Sequence, residues 1–454
     1  MSFSSINPAT GELLEVFDEW SCSKTREVID KVHNAWLSWR EIPFAERAEL
    51  MKRAAAILRR NRDEYANLMA VEMGKPVCGG RAEIEKCAWV CDFYAERAER
   101  MLSDEPAESD GSRAYVAFRP LGVILAVMPW NFPFWQVFRF ASPSLMAGNT
   151  AVLKHSSNVP RCALTVEDVF RKAGFPTDVF RTLMISSRQV TSVIENEKIR
   201  GVTLTGSDHA GRQVAATSGR LLKKTVIELG GSDPFIVLAD ADLDEAAHAG
   251  ARARCYNSGQ SCVAAKRFIV QDSIHDAFMA RFKKSMAGLV VGDPLLEETQ
   301  VGPQAREDLI RELQEQVESS VAKGAKIVLG GTPLHGKGYF YPPTILSDVK
   351  PGMPAYHEEL FGPVAAIIRV KDEEEAIAVG NDSPFGLGGS VWTADTKKGE
   401  RLAARIEAGS VSVNGRVKSD PRLPFGGIKN SGYGRELSHY GIREFVNIQT
   451  VWIK

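Results

Sequence analysis

Apolar positions change their period along the chain, and the change divides it. Over residues 24–75 they recur at helical spacing, with Val28, Val32, Ala35 and Trp36, then Leu50, Ala54, Ile57, Leu58, Leu68 and Met69. Gly74-Lys75-Pro76 is the glycine-then-proline signal that stops a helix. A further helix is expected over 81–101, an acidic, serine-rich loop over 103–112, and an extended strand over 113–119 that ends at Pro120-Leu121-Gly122. Short apolar runs then alternate with helices: strands over 123–127, 150–153, 179–184, 202–204 and 225–229, helices over 134–147, 160–173 and 210–218. Such alternation predicts an α/β fold, a parallel sheet covered on both faces, with ligands beyond the carboxyl ends of the strands. Trp130-Asn131, Lys154-His155, Gly206-Ser207 and Glu228 all fall at those ends.

A second α/β series runs over 234–425, with strands near 235–238, 267–270, 327–329, 365–370, 390–392 and 411–414 and helices near 277–289, 306–322 and 398–406. The tail, 445–453, alternates again and has no obvious partner strand in either sheet, so pairing with the edge of another subunit is the expectation.

A length of 454 residues implies two or three domains. Lysine and arginine number 56 against 57 acidic residues, which gives no electrostatic case for nucleic acid or an anionic membrane as partner. The N-terminus has neither a basic nor an apolar leader segment, and no apolar run approaches a membrane span, so a soluble, cytoplasmic protein is expected. Seven scattered cysteines fit a reducing compartment better than a disulfide framework. Cys87 and Cys91 lie four apart on a helix with no histidine or second pair nearby in sequence; packing is the reading, and no metal site is expected.

Chemistry concentrates in Cys255-Tyr256-Asn257-Ser258-Gly259-Gln260-Ser261-Cys262. Glycine permits a tight turn, and small neighbours leave room beside the Cys262 sulfur. A buried, inert cysteine is equally consistent with this stretch alone. The chain has no G-x-G-x-x-G after its early strands; it has Thr205-Gly206-Ser207, where a helix N-terminus and a serine hydroxyl suit either a phosphate oxygen or simple capping. Glu228 ends an apolar strand before Gly230 and Gly231, a place where burial would raise its pKa toward that of a general base; a paired structural carboxylate is the alternative.

Together, Pro129-Trp130-Asn131-Phe132-Pro133, Lys154, Gly206-Ser207 with Gly211, Glu228-Leu229-Gly230-Gly231, Gly259-Gln260-Ser261-Cys262, Glu358-Glu359-Leu360-Phe361-Gly362-Pro363 and Pro424-Phe425-Gly426-Gly427 with Lys429, Ser431 and Gly432 resemble the aldehyde dehydrogenase superfamily, in order and spacing, from Asn7 to the C-terminus. The resemblance implies a Rossmann-like cofactor domain (1–101 and 120–229), an α/β catalytic domain (230–430) and oligomerisation elements (102–119 and 431–454) of a homodimer or homotetramer. It implies Cys262 as nucleophile, forming a thiohemiacetal and then a thioester as hydride leaves for a nicotinamide. Asn131 and the Cys262 N–H would hold the oxyanion, and Glu228 would activate the deacylating water. Trp130, Lys154, Gly206, Ser207, Glu359 and Phe361 would bind the cofactor. Members selective for NAD often carry glutamate three residues after the lysine; Ser157 stands there, so NADP is expected to be preferred, with NAD also used.

For the substrate, Trp135 and Arg139 share a helix face, and with Lys418-Ser419-Asp420-Pro421-Arg422 they resemble short bacterial succinate-semialdehyde dehydrogenases, in which the matching arginine and serine bind the distal carboxylate. A second arginine of some relatives is replaced by Tyr256, so the expected clamp is Arg139 and Ser419. Glutarate semialdehyde or another aldehyde, including betaine aldehyde, is the alternative substrate. A cofactor-independent cysteine hydrolase would need a histidine base, and none of the eight histidines lies in a recognisable dyad. A non-catalytic member need not keep both Cys262 and Glu228.

Overall fold

The computed structural model describes residues 2–454, and three sheets organise them. The first has six strands in the order Gly432–Tyr433, Lys224–Glu228, Ile199–Thr205, Val123–Met128, Thr150–His155 and Phe180–Thr182. All pair in parallel except Gly432–Tyr433, which returns from the C-terminal segment antiparallel to Lys224–Glu228. From Val123–Met128 the chain builds outward to one side, then jumps back to build on the other. The crevice beyond Met128 and Thr205 is therefore a topological switch point, where open α/β sheets bind ligands.

The second sheet has seven strands: Lys326–Leu329, Thr344–Ser347, Val364–Val370, Ala265–Gln271, Asp233–Val237, Gly388–Trp392 and Ser410–Val413. Its pairs are parallel except the edge strand Lys326–Leu329. The chain leaves the first sheet at Glu228 and enters the second at Asp233, so a four-residue link containing Gly230 and Gly231 joins the two. Phe235, Ile236, Val237, Phe268, Ile269 and Val270 are fully enclosed, as in strands covered on both faces.

Residues 24–75 form three helices, Cys22–Trp39, Phe44–Arg60 and Arg62–Met73, and the last ends on Gly74 in the left-handed conformation (φ 77°). The fourth, Val77–Met101, begins four residues before its expected start. Cys87 and Cys91 on this helix are fully buried, with the Cys91 thiol pushed up to about 12 by desolvation.

Two expectations need correction. The tail strand Val446–Ile453 has a partner in its own chain: it pairs antiparallel with Arg113–Pro120, Val446 opposite Pro120 and Ile453 opposite Arg113. The expected loop after residue 102 contributes a third strand, Glu105–Ala107, to this sheet. Alternation predicted both long strands but carries no information about which strand a tail will reach. The helix Leu243–Cys255 was not anticipated. Its buried face is Ala246, Ala247, Gly250 and Ala251, too small to give a hydrophobic stripe. Close packing explains the small residues, since a Cβ on Gly250 would lie 2.9 Å from Phe268 Cε1.

Candidate active site

The Leu243–Cys255 helix runs directly into the turn that leads to Cys262. Asn257 (φ 53°), Ser258 (φ 57°) and Gly259 (φ 77°) are left-handed in succession. Only glycine adopts this conformation without cost, and a Cβ on Gly259 would collide with the Gly362 carbonyl. Hydrogen bonds from the preceding helix and from the backbone of residues 302–305 hold the strained turn. Arg254 donates to the Gly259 carbonyl (2.8 Å), the Gly302 N–H donates to Ser258 Oγ (2.8 Å), and the Ala305 N–H donates to Gln260 Oε1 (2.9 Å). Behind Cys262, the Lys266 ammonium donates to the carbonyls of Ser261 (3.0 Å), Cys262 (2.9 Å) and Ala264 (3.3 Å). Strain that surrounding bonds over-determine is typical of functional sites.

Asn131 is fixed to the same turn. Its Nδ2 donates to the Gln260 carbonyl (3.2 Å), and its own carbonyl accepts from Asn257 Nδ2 (2.8 Å). The Cys262 N–H meets no acceptor among the described residues. Burial pushes the Cys262 thiol up to about 12, opposed by the Arg139 and Lys266 charges.

Two cavities meet at this sulfur. One, of about 700 Å³, is lined by Trp130, Asn131, Lys154, Gly206, Ser207, Glu359 and Phe361 among others; the second, of about 610 Å³, is lined by Lys86, Trp135, Arg139, Arg416 and Ser419 among others. Cys262 is the one residue in both linings.

The first cavity lies at the switch-point crevice. Ser207 caps the helix Asp208–Arg220, accepting from the Ala210 N–H (3.4 Å), so capping and exposure to the cavity occur together. Lys154 has no carboxylate partner among the described residues, and burial lowers its ammonium to about 8. Glu359 accepts from the Gly231 N–H (3.0 Å) and lies 3.5 Å from Lys266; burial raises its pKa against the Lys266 charge. A Cβ on Gly230 would displace this carboxylate, so glycine at 230 leaves room for Glu359 in the position seen. Phe361 stands edge-on to Trp130, with centroids 5.8 Å apart. Ser157 is exposed on the turn after His155, one residue beyond the cavity-lining Ser156. An uncompensated ammonium, a helix N-terminus and a glycine-lined approach fit a phosphate-bearing dinucleotide.

Comparison with known proteins accords with this geometry. The profile of the Aldehyde dehydrogenase family matches residues 1–451. The chain belongs to the aldehyde dehydrogenase family. It is 51% identical over 453 residues to a probable succinate-semialdehyde dehydrogenase [NADP(+)] of Synechocystis sp., with all of both chains covered. It is 48% identical over 456 residues to succinate-semialdehyde dehydrogenase [NADP(+)] 1 of Mycobacterium tuberculosis, again across both full lengths. Among solved structures, a succinic semialdehyde dehydrogenase from Streptococcus pyogenes in complex with NADP+ superposes with a TM-score of 0.97 at 40% identity, with 99% of each chain covered.

In this aldehyde dehydrogenase the second cavity departs in one respect from what its sequence suggested. Trp135 and Arg139 do line one wall together, but the Arg139 guanidinium forms a buried ion pair with Glu436 and also donates to Thr205 Oγ1 (3.1 Å). Glu436 comes from the C-terminal segment, far away in sequence, and pairs with the guanidinium expected in the clamp, which still lines the cavity. Ser419 lies at the same wall, accepting from Lys86 Nζ (2.7 Å) and Trp135 Nε1 (3.1 Å).

Glu228 is buried and lines neither cavity. Its carboxylate accepts no hydrogen bond among the described residues, and a Cβ on Gly426 would lie 2.6 Å from its Oε1. Desolvation raises its pKa well above the ordinary carboxylate range, with Arg139 opposing and Glu436 adding to the rise. The sequence reading overlooked Lys266, although its position four residues after Cys262 was a usable signal. It also overlooked Lys86, Arg416 and Glu436, which no motif marks.

Proposed function

We propose that this aldehyde dehydrogenase oxidises succinic semialdehyde to succinate with NADP+ as preferred cofactor and NAD+ as a usable one. The observation that carries the reading is the sulfur of Cys262 at the junction of a phosphate-suited cavity and a cation-rich one. In this reading Trp130, Lys154, Ser157, Gly206, Ser207, Glu359 and Phe361 hold the cofactor, and Trp135, Arg139 and Ser419 form the wall against which the substrate chain lies. The nicotinamide, when bound, supplies the hydride acceptor.

Cys262 attacks the aldehyde carbon, and its thiol proton passes to solvent water in the open cavity as the carbon–sulfur bond forms and the carbonyl π bond breaks. The Asn131 amide and the Cys262 N–H donate to the oxygen that becomes an oxyanion. Oxidation leaves a thioester on Cys262. Glu228 then takes a proton from the water that opens it. For that step the Glu228 side chain turns from Gly426 toward the sulfur, a rotation that breaks no hydrogen bond of Oε1 to the described residues. Burial raises its pKa above the ordinary carboxylate range, which makes it a stronger base than an exposed carboxylate.

At the position where a carboxylate would repel a 2′-phosphate, Ser157 offers a hydroxyl beside the Lys154 strand. The test is a panel of succinic, glutaric and uncharged aldehydes assayed with both cofactors. The expected result is highest kcat/KM for succinic semialdehyde with NADP+. An uncharged or cationic aldehyde at the top of the panel overturns the substrate, and NAD+ favoured tenfold or more overturns the cofactor. We further propose that the outer edge of Val446–Ile453, where Ile448, Trp452 and Ile453 are exposed, contributes to a homodimer or homotetramer. A monomer by light scattering would end that reading.

A further inference from the structure

Lys266 is almost completely enclosed behind Cys262, at the start of the strand Ala265–Gln271, and the steps above give it no task. A buried lysine without a task is unusual, and this one is fully engaged. An ammonium has three hydrogens, and three backbone carbonyls receive them: Ser261 (3.0 Å), Cys262 (2.9 Å) and Ala264 (3.3 Å). Burial disfavours the charge, while Glu359 at 3.5 Å and Asp233 work against that loss.

The bond to the Ser261 carbonyl bears on the chemistry. That oxygen belongs to the same peptide unit as the Cys262 N–H, and no peptide bond among the described residues is cis. In a planar trans unit the C=O and N–H point in opposite directions. A donor fixed on the Ser261 oxygen therefore fixes the direction of the Cys262 N–H, which meets no acceptor among the described residues. A cation on that oxygen also polarises the unit and makes the N–H at its far side a stronger donor. The preceding unit is held in a similar way, since the Gln260 carbonyl accepts from Asn131 Nδ2 (3.2 Å) and Asn257 Nδ2 (3.0 Å). The Asn131 amide and the Cys262 N–H are thus both tied to neighbouring carbonyls of one turn.

We propose that Lys266 is a positioning residue for the oxyanion: it holds the Ser261–Cys262 peptide so that the Cys262 N–H is directed at the reacting oxygen and strengthened as a donor. The proposal rests on the Cys262 chemistry proposed above and deepens it. Lys266 acts through the peptide and does not touch the substrate, because its hydrogens are spent on protein carbonyls. A donor aligned before the reaction stabilises the developing charge without reorganising.

The test compares Lys266→Met with the wild-type enzyme on the best aldehyde of the panel. Saturating NADP+ is used throughout, so that a weaker hold of Glu359 on the cofactor does not enter. The first turnover, followed by stopped-flow absorbance, should slow by about 10- to 100-fold, somewhat less than the loss from deleting an oxyanion donor outright. KM for the aldehyde should stay within about threefold, the split produced by an interaction made in the transition state. Alkylation of Cys262 by iodoacetamide, read on the Cys262 peptide by mass spectrometry, forms no oxyanion and should also stay within about threefold. Alkylation slowed as much as the first turnover would mean that Lys266 supports the sulfur or the whole turn, and overturns the proposal. An unchanged first turnover overturns it as well. If Lys266→Met lacks the wild-type thermal transition, Lys266→Gln takes its place under the same criteria. An undiminished first turnover in Asn131→Ala, or none in the wild-type enzyme, instead removes the oxyanion reading on which the role of Lys266 depends.

Discussion

The two cavities that meet at Cys262 are built in different ways. The cofactor side rests on backbone features, namely strand ends, a helix N-terminus at Ser207 and Gly230 at the link between the sheets, to which side chains such as Lys154, Glu359 and Phe361 are added. The substrate side is made of long side chains from the Val77–Met101 helix, the Trp135–Met146 helix and the loop around residues 416–422, organised by ion pairs and ring contacts. A backbone site is fixed by the fold and is specific for features that every dinucleotide shares. A side-chain site can be re-specified by few substitutions, because its charges depend on which partner reaches which group. Arg139 shows this: whether it binds a substrate carboxylate or neutralises Glu436 depends on a contact across most of the chain.

The largest effect should come at the junction itself. Cys262→Ala should lower kcat by on the order of 10⁴-fold or more, with NADP+ binding and the thermal transition retained; measurable turnover near wild type would show that the sulfur is not the meeting point of two functional cavities. Glu228→Gln should lower steady-state turnover by about 10²- to 10⁴-fold, yet stopped-flow absorbance should still record one equivalent of reduced cofactor per active site, because only deacylation needs the base. A burst that vanishes with turnover would place Glu228 before the oxidation.

On the cofactor side, Ser157→Glu should reduce kcat/KM for NADP+ by about 10- to 100-fold with little change for NAD+, as a carboxylate repels a 2′-phosphate and not a hydroxyl. Equal losses would remove Ser157 from the cofactor's reach. The Lys154 ammonium, lowered to about 8 by burial, is charged below that pH and neutral above it. KM for NADP+ should therefore climb as pH rises through about 8, and Lys154→Arg should flatten the climb. The smallest effect belongs to Cys255, whose thiol is buried against Met286 Sδ at 3.8 Å. Cys255→Ala should leave kcat unchanged and cost about 1 kcal/mol of stability in denaturant unfolding.

The same contrast explains what could be read before the fold was known. Asn131, Glu228 and Cys262 are each followed or preceded by residues whose backbone the chemistry constrains, so local sequence marks them. The nucleophile turn is the clearest case, since three successive left-handed residues demand a glycine at 259. The helix leading to that turn was missed because its buried face is alanine and glycine, which give no periodic signal. Lys86 was missed for the opposite reason, because a lysine among charged residues on a helix looks like a solvated surface position.

By itself, the sequence determined the α/β class, most of the strand–helix succession, and the membership of Cys262, Glu228 and Asn131 in one ordered set of motifs. These are local properties, set by periodicity and by residues whose backbone geometry admits few alternatives. Only the tertiary structure decided that the tail pairs with Arg113–Pro120, that Glu436 pairs with Arg139, and that Lys86, Arg416 and Lys418 line one cavity without an ion-pair partner among the described residues. Charge matching depends on separation in space, and residues 139 and 436 reveal nothing of their contact until the C-terminal segment has folded back across the first sheet.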